Sequence, residues 1–248
     1  MGKKRLSWRK WLKRRGKERI RWLNARLAEE SAIPDTAWQE TSLFPWIQRL
    51  EAAEPVIQRE LDAVLEHRAQ LPRLHDVQQD QYRISADGRW KSFMLTGWGF
   101  RSPTGERLCP ETLAVVDSIP GVRTSFFAIL EPGASIPEHT GFHKGLLRCH
   151  LALRVPSERD RCVLWLDGKT HLWERGRATV FDDTFLHAVR NDTDEERIVL
   201  LLHFDRPMSW RGRLLHETAL FFLRHSPFVK DARRNHAKWE EQFGAPGA

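Results

Sequence analysis

The stretch "EPGASIPEHTGFHKGLLRCHLAL", residues 131–153, places His139, His143, Arg148 and His150 within twelve positions. It runs from a Pro132-Gly133 turn signal into a segment that alternates as a strand does. In an extended chain residues two apart share a face, so Arg148 and His150 point the same way. If that face looks into a closed β fold, a guanidinium and an imidazole are carried inside, and a buried cation needs an acidic partner or ligand.

The chain around this stretch supports such a fold. Beyond about Arg83 it breaks into short runs of strand character, "WKSFML", "TSFFAIL", "RCHLALRV", "CVLWLD", "THLWE", "ATVFD" and "RIVLLLHF", separated by Gly, Pro, Asp and Asn. Strands at this spacing predict an all-β sandwich, jelly roll or barrel. A second polar cluster lies in "VFDDTFLHAVRNDTDEERIVLLLHF", residues 180–204, where His187 closes one strand-like segment and Arg197 opens another. On the latter Arg197, Val199, Leu201 and His203 share one face. Ahead of the β region, Ile47, Leu50, Ile57, Leu61, Val64 and Leu65 recur at helical spacing, with Pro55 dividing them into two helices. After Pro207 helical character returns. The expected organisation is a basic amphipathic N-terminal extension (1–42), a helical scaffold (43–82), a mainly β core (83–210) and a basic aromatic C-terminal helical extension (211–248).

Composition narrows the setting. The 248 residues carry a formal charge of +7, and eleven Lys or Arg fall between Lys3 and Arg21 against the single acid Glu18. Trp8, Trp11 and Leu12 at i, i+3 and i+4 give this segment the look of an interfacial helix for an anionic membrane surface. A solvated arm is the plainer reading, and nucleic acid fits less well. No apolar run approaches the roughly 18 residues of a membrane span, and the N-terminus lacks the apolar stretch of a secretory signal. The three cysteines, Cys109, Cys149 and Cys162, form neither a disulfide framework nor a CxxC pair. A cytoplasmic location, possible also at the inner membrane face, is expected.

Two histidine and arginine clusters converging on one β scaffold suit a particular chemistry. Non-haem Fe(II) oxygenases hold iron facially, commonly with two histidines and a carboxylate, and leave positions open. A guanidinium fork suits the distal carboxylate of 2-oxoglutarate.

The ordered block "PG…HTG…LRCHLAL…W…G…FDDTFLHAVRN…R" resembles the aspartyl/asparaginyl β-hydroxylase family of Fe(II)- and 2-oxoglutarate-dependent dioxygenases. The segments "FMLTGWG" and "CPETLAVVDSIPGV" are most similar to its bacterial lipid A hydroxylase branch. The resemblance spans about residues 43–210 and implies a double-stranded β-helix, a cupin-like jelly roll. It implies that His139 and His187 hold Fe(II), that Arg197 fixes the distal carboxylate of 2-oxoglutarate, and that Arg148 and His150 surround its 2-oxo acid end. Dioxygen is then consumed as the co-substrate is oxidised to succinate and an unactivated C–H bond is hydroxylated. Gly141 stands where many iron oxygenases place a carboxylate, a position the resemblance fills with water. Ala128 replaces a serine that vertebrate members place on the co-substrate. His203 stands where relatives often have Asp, and its role stays open. Asp182 and Asp183 are expected to order the turn before His187, and His143 to lie exposed in the mouth loop. The implied substrate is a lipid acyl chain, with a peptide or amino-acid side chain as the alternative. A non-catalytic basic β-sandwich that binds membrane or nucleic acid is the reading from another class.

Overall fold

The computed structural model describes residues 16, 18–78, 81–97 and 99–243. Most of the cationic arm, including Trp8, Trp11 and Leu12, lies outside the described residues. A helix, α1 (18–29), leads into the first strand. Eleven strands follow: β1 (Trp38–Gln39), β2 (Trp90–Gly97), β3 (Phe100–Arg101), β4 (Val122–Leu130), β5 (Ser135–His139), β6 (Leu146–Arg154), β7 (Cys162–Leu166), β8 (Lys169–Leu172), β9 (Ala178–Phe181), β10 (His187–Asn191) and β11 (Arg197–Asp205). They form two antiparallel sheets, one ordered β1-β9-β6-β11-β4-β2-β3 and the other β5-β10-β7-β8. The architecture is a double-stranded β-helix, the cupin-like jelly roll, with flanking helices.

The large sheet is buried on both faces, which explains why its central strands read as nearly continuous apolar runs. Alternate residues of β4 and β11 serve two different cores. Phe126, Ala128, Leu130, Val199 and Leu201 face the small sheet. Phe127, Ile129, Ile198, Leu200, Leu202 and Phe204 face the helices on the outside. Those helices include α2 (Ile47–Ala52) and α3 (Glu54–Leu65), whereas the short α4 (Leu74–Val77) and α5 (Tyr82–Ser85) place Leu74 and Ile84 in the inner core. After β3 come α6 (Pro103–Leu108) and α7 (Pro110–Asp117), and after β11 come α8 (Trp210–Arg224) and α9 (Pro227–Gln242). Pro55 separates α2 from α3 by standing in the first turn of α3, where its missing N–H costs no hydrogen bond. Ser209 and Ser226 cap α8 and α9 by accepting from Gly212 N and Val229 N. The small sheet buries only its inner face, and Cys162, Leu164 and Leu166 alternate accordingly.

The structure differs from the sequence reading at three strands. His187 begins β10 rather than closing a strand. Residues 135–139, "SIPEH", form β5 although Pro137 argues against a strand there; β5 is an edge strand, where a missing donor is tolerated. Gly133 has φ 68°, so the Pro-Gly turn that feeds β5 is the one the sequence signals. Trp38–Gln39, inside the span read as an N-terminal extension, pairs with β9 and so joins the large sheet.

Leu200 is fully buried at the centre of β11, between the sheet and the helices. Leu200→Ala should destabilise the protein by about 3 kcal/mol in urea unfolding, and a loss below about 1 kcal/mol would contradict this packing.

Candidate active site

His139 is the last residue of β5 and His187 the first of β10, and the two stand directly opposite in the antiparallel register. Their ring centroids are 4.0 Å apart. Each ring is held the same way. His139 Nδ1 lies 2.8 Å from the Pro137 carbonyl and His187 Nδ1 2.9 Å from the Phe185 carbonyl, in both cases two residues back. A carbonyl accepts only, so Nδ1 donates and the lone pair sits on Nε2. His187 Nε2 is buried and has no hydrogen-bond partner. Burial, with help from Arg148, pushes His187 down to about 4, and burial also lowers His139. Two neutral imidazoles with free, adjacent Nε2 atoms and carbonyl-fixed tautomers are the donor set a divalent transition metal takes.

Gly141 offers no ligand, and the reason is steric. A Cβ at this position would sit on the carboxylate of Asp183, while Gly141 N donates to Asp183 O at 2.6 Å. The space that a side chain at position 141 would take is filled by the Asp183 carboxylate. Its Oδ2 accepts from Arg148 Nη2 at 2.7 Å and lies 3.9 Å from His203 Nε2. Burial alone would raise this carboxyl, but Arg148, followed by His203 and the site histidines, outweighs it and holds Asp183 below the usual range. The two aspartates thus part company. Asp182 does order the turn, accepting from Thr184 N at 2.9 Å and pairing with Arg206 and Lys144. Asp183 turns toward the histidine pair, a role that the sequence "FDDTF" does not distinguish.

Arg197 and His150 lie deeper. Arg197 is 2 % exposed, yet its Nε and Nη1 have no partner. Its guanidinium rests 4.6 Å over the Trp173 ring. Burial lowers it to about 10, so it remains a cation at neutral pH. Both ring nitrogens of His150 are buried and unpartnered, and burial with Arg197 and Arg148 keeps it far below the ordinary histidine range. A narrow cavity lined by His139, His187, Arg148, His150, Arg197 and Trp90 joins these groups. A buried, unpaired guanidinium is costly, and a carboxylate delivered into this cavity would satisfy it. The residues present therefore offer nitrogen donors that suit a metal at the histidine pair and an unpaired guanidinium that suits a carboxylate at Arg197.

Arg148 faces both this cavity and a wider one above it. Besides Asp183, it donates from Nε to His203 Nε2 at 3.1 Å, and His203 Nδ1 in turn meets Thr124 Oγ1 at 2.7 Å. Burial and Arg148 push His203 down to about 3, which keeps it a neutral acceptor. The wider cavity opens between α4, α5, the 140–143 loop and the start of α9, with Leu74, Ile84, Trp90, Phe126, Leu201 and Phe228 among its walls. His143, expected to be exposed, is 5 % exposed, and its Nε2 meets His216 Nδ1 of α8 at 2.8 Å. His216 Nε2 continues to Asp205 at 2.8 Å. Local pattern carries no sign of this contact, because the partner lies 73 positions away. Asp205, His216 and Glu217 are grouped closely enough for a metal, but Arg123 donates to both carboxylates and makes the group an ion-paired knot.

Comparison with known proteins identifies a family and relatives of this chain. The family model described as aspartyl/asparaginyl beta-hydroxylase matches residues 51–207. The chain is 35% identical over 226 residues, 91% of its length and 80% of the other's, to the ornithine lipid ester-linked acyl 2-hydroxylase of Rhizobium tropici. That similarity extends into the flanking segments beyond 43–210. It is 30% identical over 125 residues to the human aspartyl/asparaginyl beta-hydroxylase, covering 48% of this chain and 16% of that protein. Among solved structures, a Pseudomonas putida prolyl-4-hydroxylase aligns with a TM-score of 0.36 at 20% identity, covering 52% of this chain and 84% of that one.

Two outcomes test the site. Gly141→Ala must displace the Asp183 carboxylate, and should weaken metal binding at least about tenfold in a calorimetric titration while the fold persists. Unchanged affinity would separate Asp183 from the site. Unfolded imidazoles titrate near 6.5, whereas folded His187 and His143 sit at about 4 and His203 at about 3. Below about pH 6.5 the unfolded chain binds protons that the folded one refuses, so stability present above that pH is lost as it falls toward 3. The thermal midpoint of the metal-free protein should drop steadily from pH 7 to pH 5, and a flat profile would contradict the burial of these rings.

Proposed function

The chain belongs to the aspartyl/asparaginyl β-hydroxylase family, a family of hydroxylases, and on that footing we propose that it is an Fe(II)- and 2-oxoglutarate-dependent dioxygenase acting on the acyl chain of a membrane lipid. The observation that carries this reading is the pairing of two unmet needs in one narrow cavity. The free Nε2 of His187 asks for a metal, and the unpaired guanidinium of Arg197 asks for a carboxylate.

In this reading His139 and His187 would hold the metal, with the Asp183 carboxylate in the loop beside them, and Arg197 would take the distal carboxylate. Iron with 2-oxoglutarate and dioxygen supplies the oxidising power for an unactivated C–H bond, which no side chain has. The chain's own part is placement. Trp173 supports the Arg197 guanidinium from beneath, and the Pro137 and Phe185 carbonyls keep both imidazoles in the tautomer that offers Nε2. Asp183 and His203 fix the Arg148 guanidinium at the junction of the two cavities, where it orients a ligand in either.

The walls of the wider cavity support a lipid substrate. Ile84, Trp90, Phe126, Leu201 and Phe228 suit hydrocarbon, and Gln78, Gln81 and Arg83 also border the cavity and suit a polar headgroup. The bacterial relative, named for an ester-linked acyl chain of ornithine lipid, supports an acyl substrate in an aminolipid. None of the helices among the described residues is long and apolar enough to cross a membrane. A peripheral position at the cytoplasmic membrane face is part of this proposal, because a lipid acyl substrate has to be reached at a membrane.

The test is succinate formation by purified protein loaded anaerobically with Fe(II), followed by mass spectrometry of added lipid. Lipid should stimulate turnover and gain the mass of one oxygen atom, whereas turnover with an Asp- or Asn-containing peptide alone would overturn the substrate. His187→Ala should abolish turnover. Arg197→Gln should raise KM for 2-oxoglutarate roughly 10- to 100-fold, and an unchanged KM would remove Arg197 from the co-substrate.

A further inference from the structure

Helix α8 is amphipathic the wrong way round for a helix that only completes a core. Its inner side buries Gly212, His216 and Leu220. Its outer side leaves Trp210 at 70 %, Leu214 at 65 %, Phe221 at 59 % and Phe222 at 69 % exposure. These positions recur at i, i+4, i+11 and i+12, so they form one stripe along a helix of about 22 Å. Grouped large apolar side chains in water mark a contact surface. Arg211, Arg213 and Arg224 accompany the stripe, and the helix's acid, Glu217, is taken up by Arg123.

The stripe is tied to other exposed aromatic residues and to the mouth of the wider cavity. Ser209 N, at the start of α8, donates to Glu30 O at the end of α1 at 2.9 Å. The glycine at 212 lets Glu30 approach, since a Cβ there would lie 2.7 Å from Glu30 Cβ. Helix α1 leaves Trp22 at 59 % and Ile20 at 46 % exposure. Its Asn24 donates to the carbonyl of Phe142, a half-exposed ring beside the mouth. His216 holds His143 of the same loop, and Phe228, just past the end of α8, lines the cavity. Three elements carrying exposed aromatics are thus joined around one entrance.

We infer that the outer face of α8, with the exposed end of α1, is a docking surface for an anionic lipid bilayer and brings the cavity mouth to the lipid. This rests on the acyl-chain reading above and names the surface through which such a substrate is met. Aromatic side chains at headgroup depth and arginines beside them are what an anionic interface selects. The bonds from α8 and α1 to the mouth loop make docking a way of seating that loop.

The probe is cosedimentation of the full chain with phosphatidylglycerol/phosphatidylcholine vesicles in about 0.5 M salt, where exposed charges are screened beyond roughly 4 Å. The wild type should remain bound, and the double substitution Trp210→Ser with Phe222→Ser should reduce binding at least about tenfold. Its thermal midpoint, its mass by light scattering and its turnover of detergent-dispersed lipid should stay as in the wild type. Unchanged vesicle binding, or a wild type that does not bind, overturns the docking face. A lowered midpoint would mean that the chain itself covers the stripe, and a changed mass that a second copy does; either result overturns it too. Turnover of detergent-dispersed lipid without vesicle binding would leave the substrate standing, whereas vesicle binding without any lipid turnover would leave the surface and remove the substrate.

Discussion

The site depends on one ladder pair. β5 and β10 are short, yet their antiparallel register sets His139 opposite His187, and the ladder shifts between His187 and Val189. Because side chains alternate faces along a strand, a slip of one residue in either strand would turn one imidazole out of the cavity. The two carbonyls that fix the rings belong to residues two positions before each histidine, so strand pairing and ring orientation are set together. The left-handed Gly133 that starts β5 belongs to the same construction.

A second constraint is electrostatic. The jelly roll carries Arg148, His150, Arg197 and His203 on inward faces, and burial depresses His150, Arg197 and His203. Arg148 is settled by Asp183, whereas Arg197 rests only on the Trp173 ring. The interior is therefore short of one negative group at its deep end. The outer core, packed by β4 and β11 against the helices, supplies the rigidity that holds such an unsatisfied arrangement.

Much of this was legible in the sequence because long, doubly buried strands announce themselves. The central strands β4, β6 and β11 overlap the runs read as strands to within two residues at either end, and the two-residue spacing of Arg148 and His150 put them on one face. β5 was hidden, because five residues with a proline at the centre carry little strand signal. Asp182 and Asp183 are adjacent acids in a turn, and only the empty space at Gly141 tells which one enters the site. His143 was read as exposed because its partner, His216, is brought to it by the packing of α8, which local pattern does not encode.

The histidine pair and Arg197 are proposed to form one binding unit for metal and dicarboxylate. Calorimetric titration of 2-oxoglutarate into the protein with and without Mn(II), in the wild type and in His187→Ala, tests it most directly. The account predicts tight binding with metal, and binding weakened at least about tenfold when either the metal or His187 is removed. Equal affinity in all three conditions would contradict it.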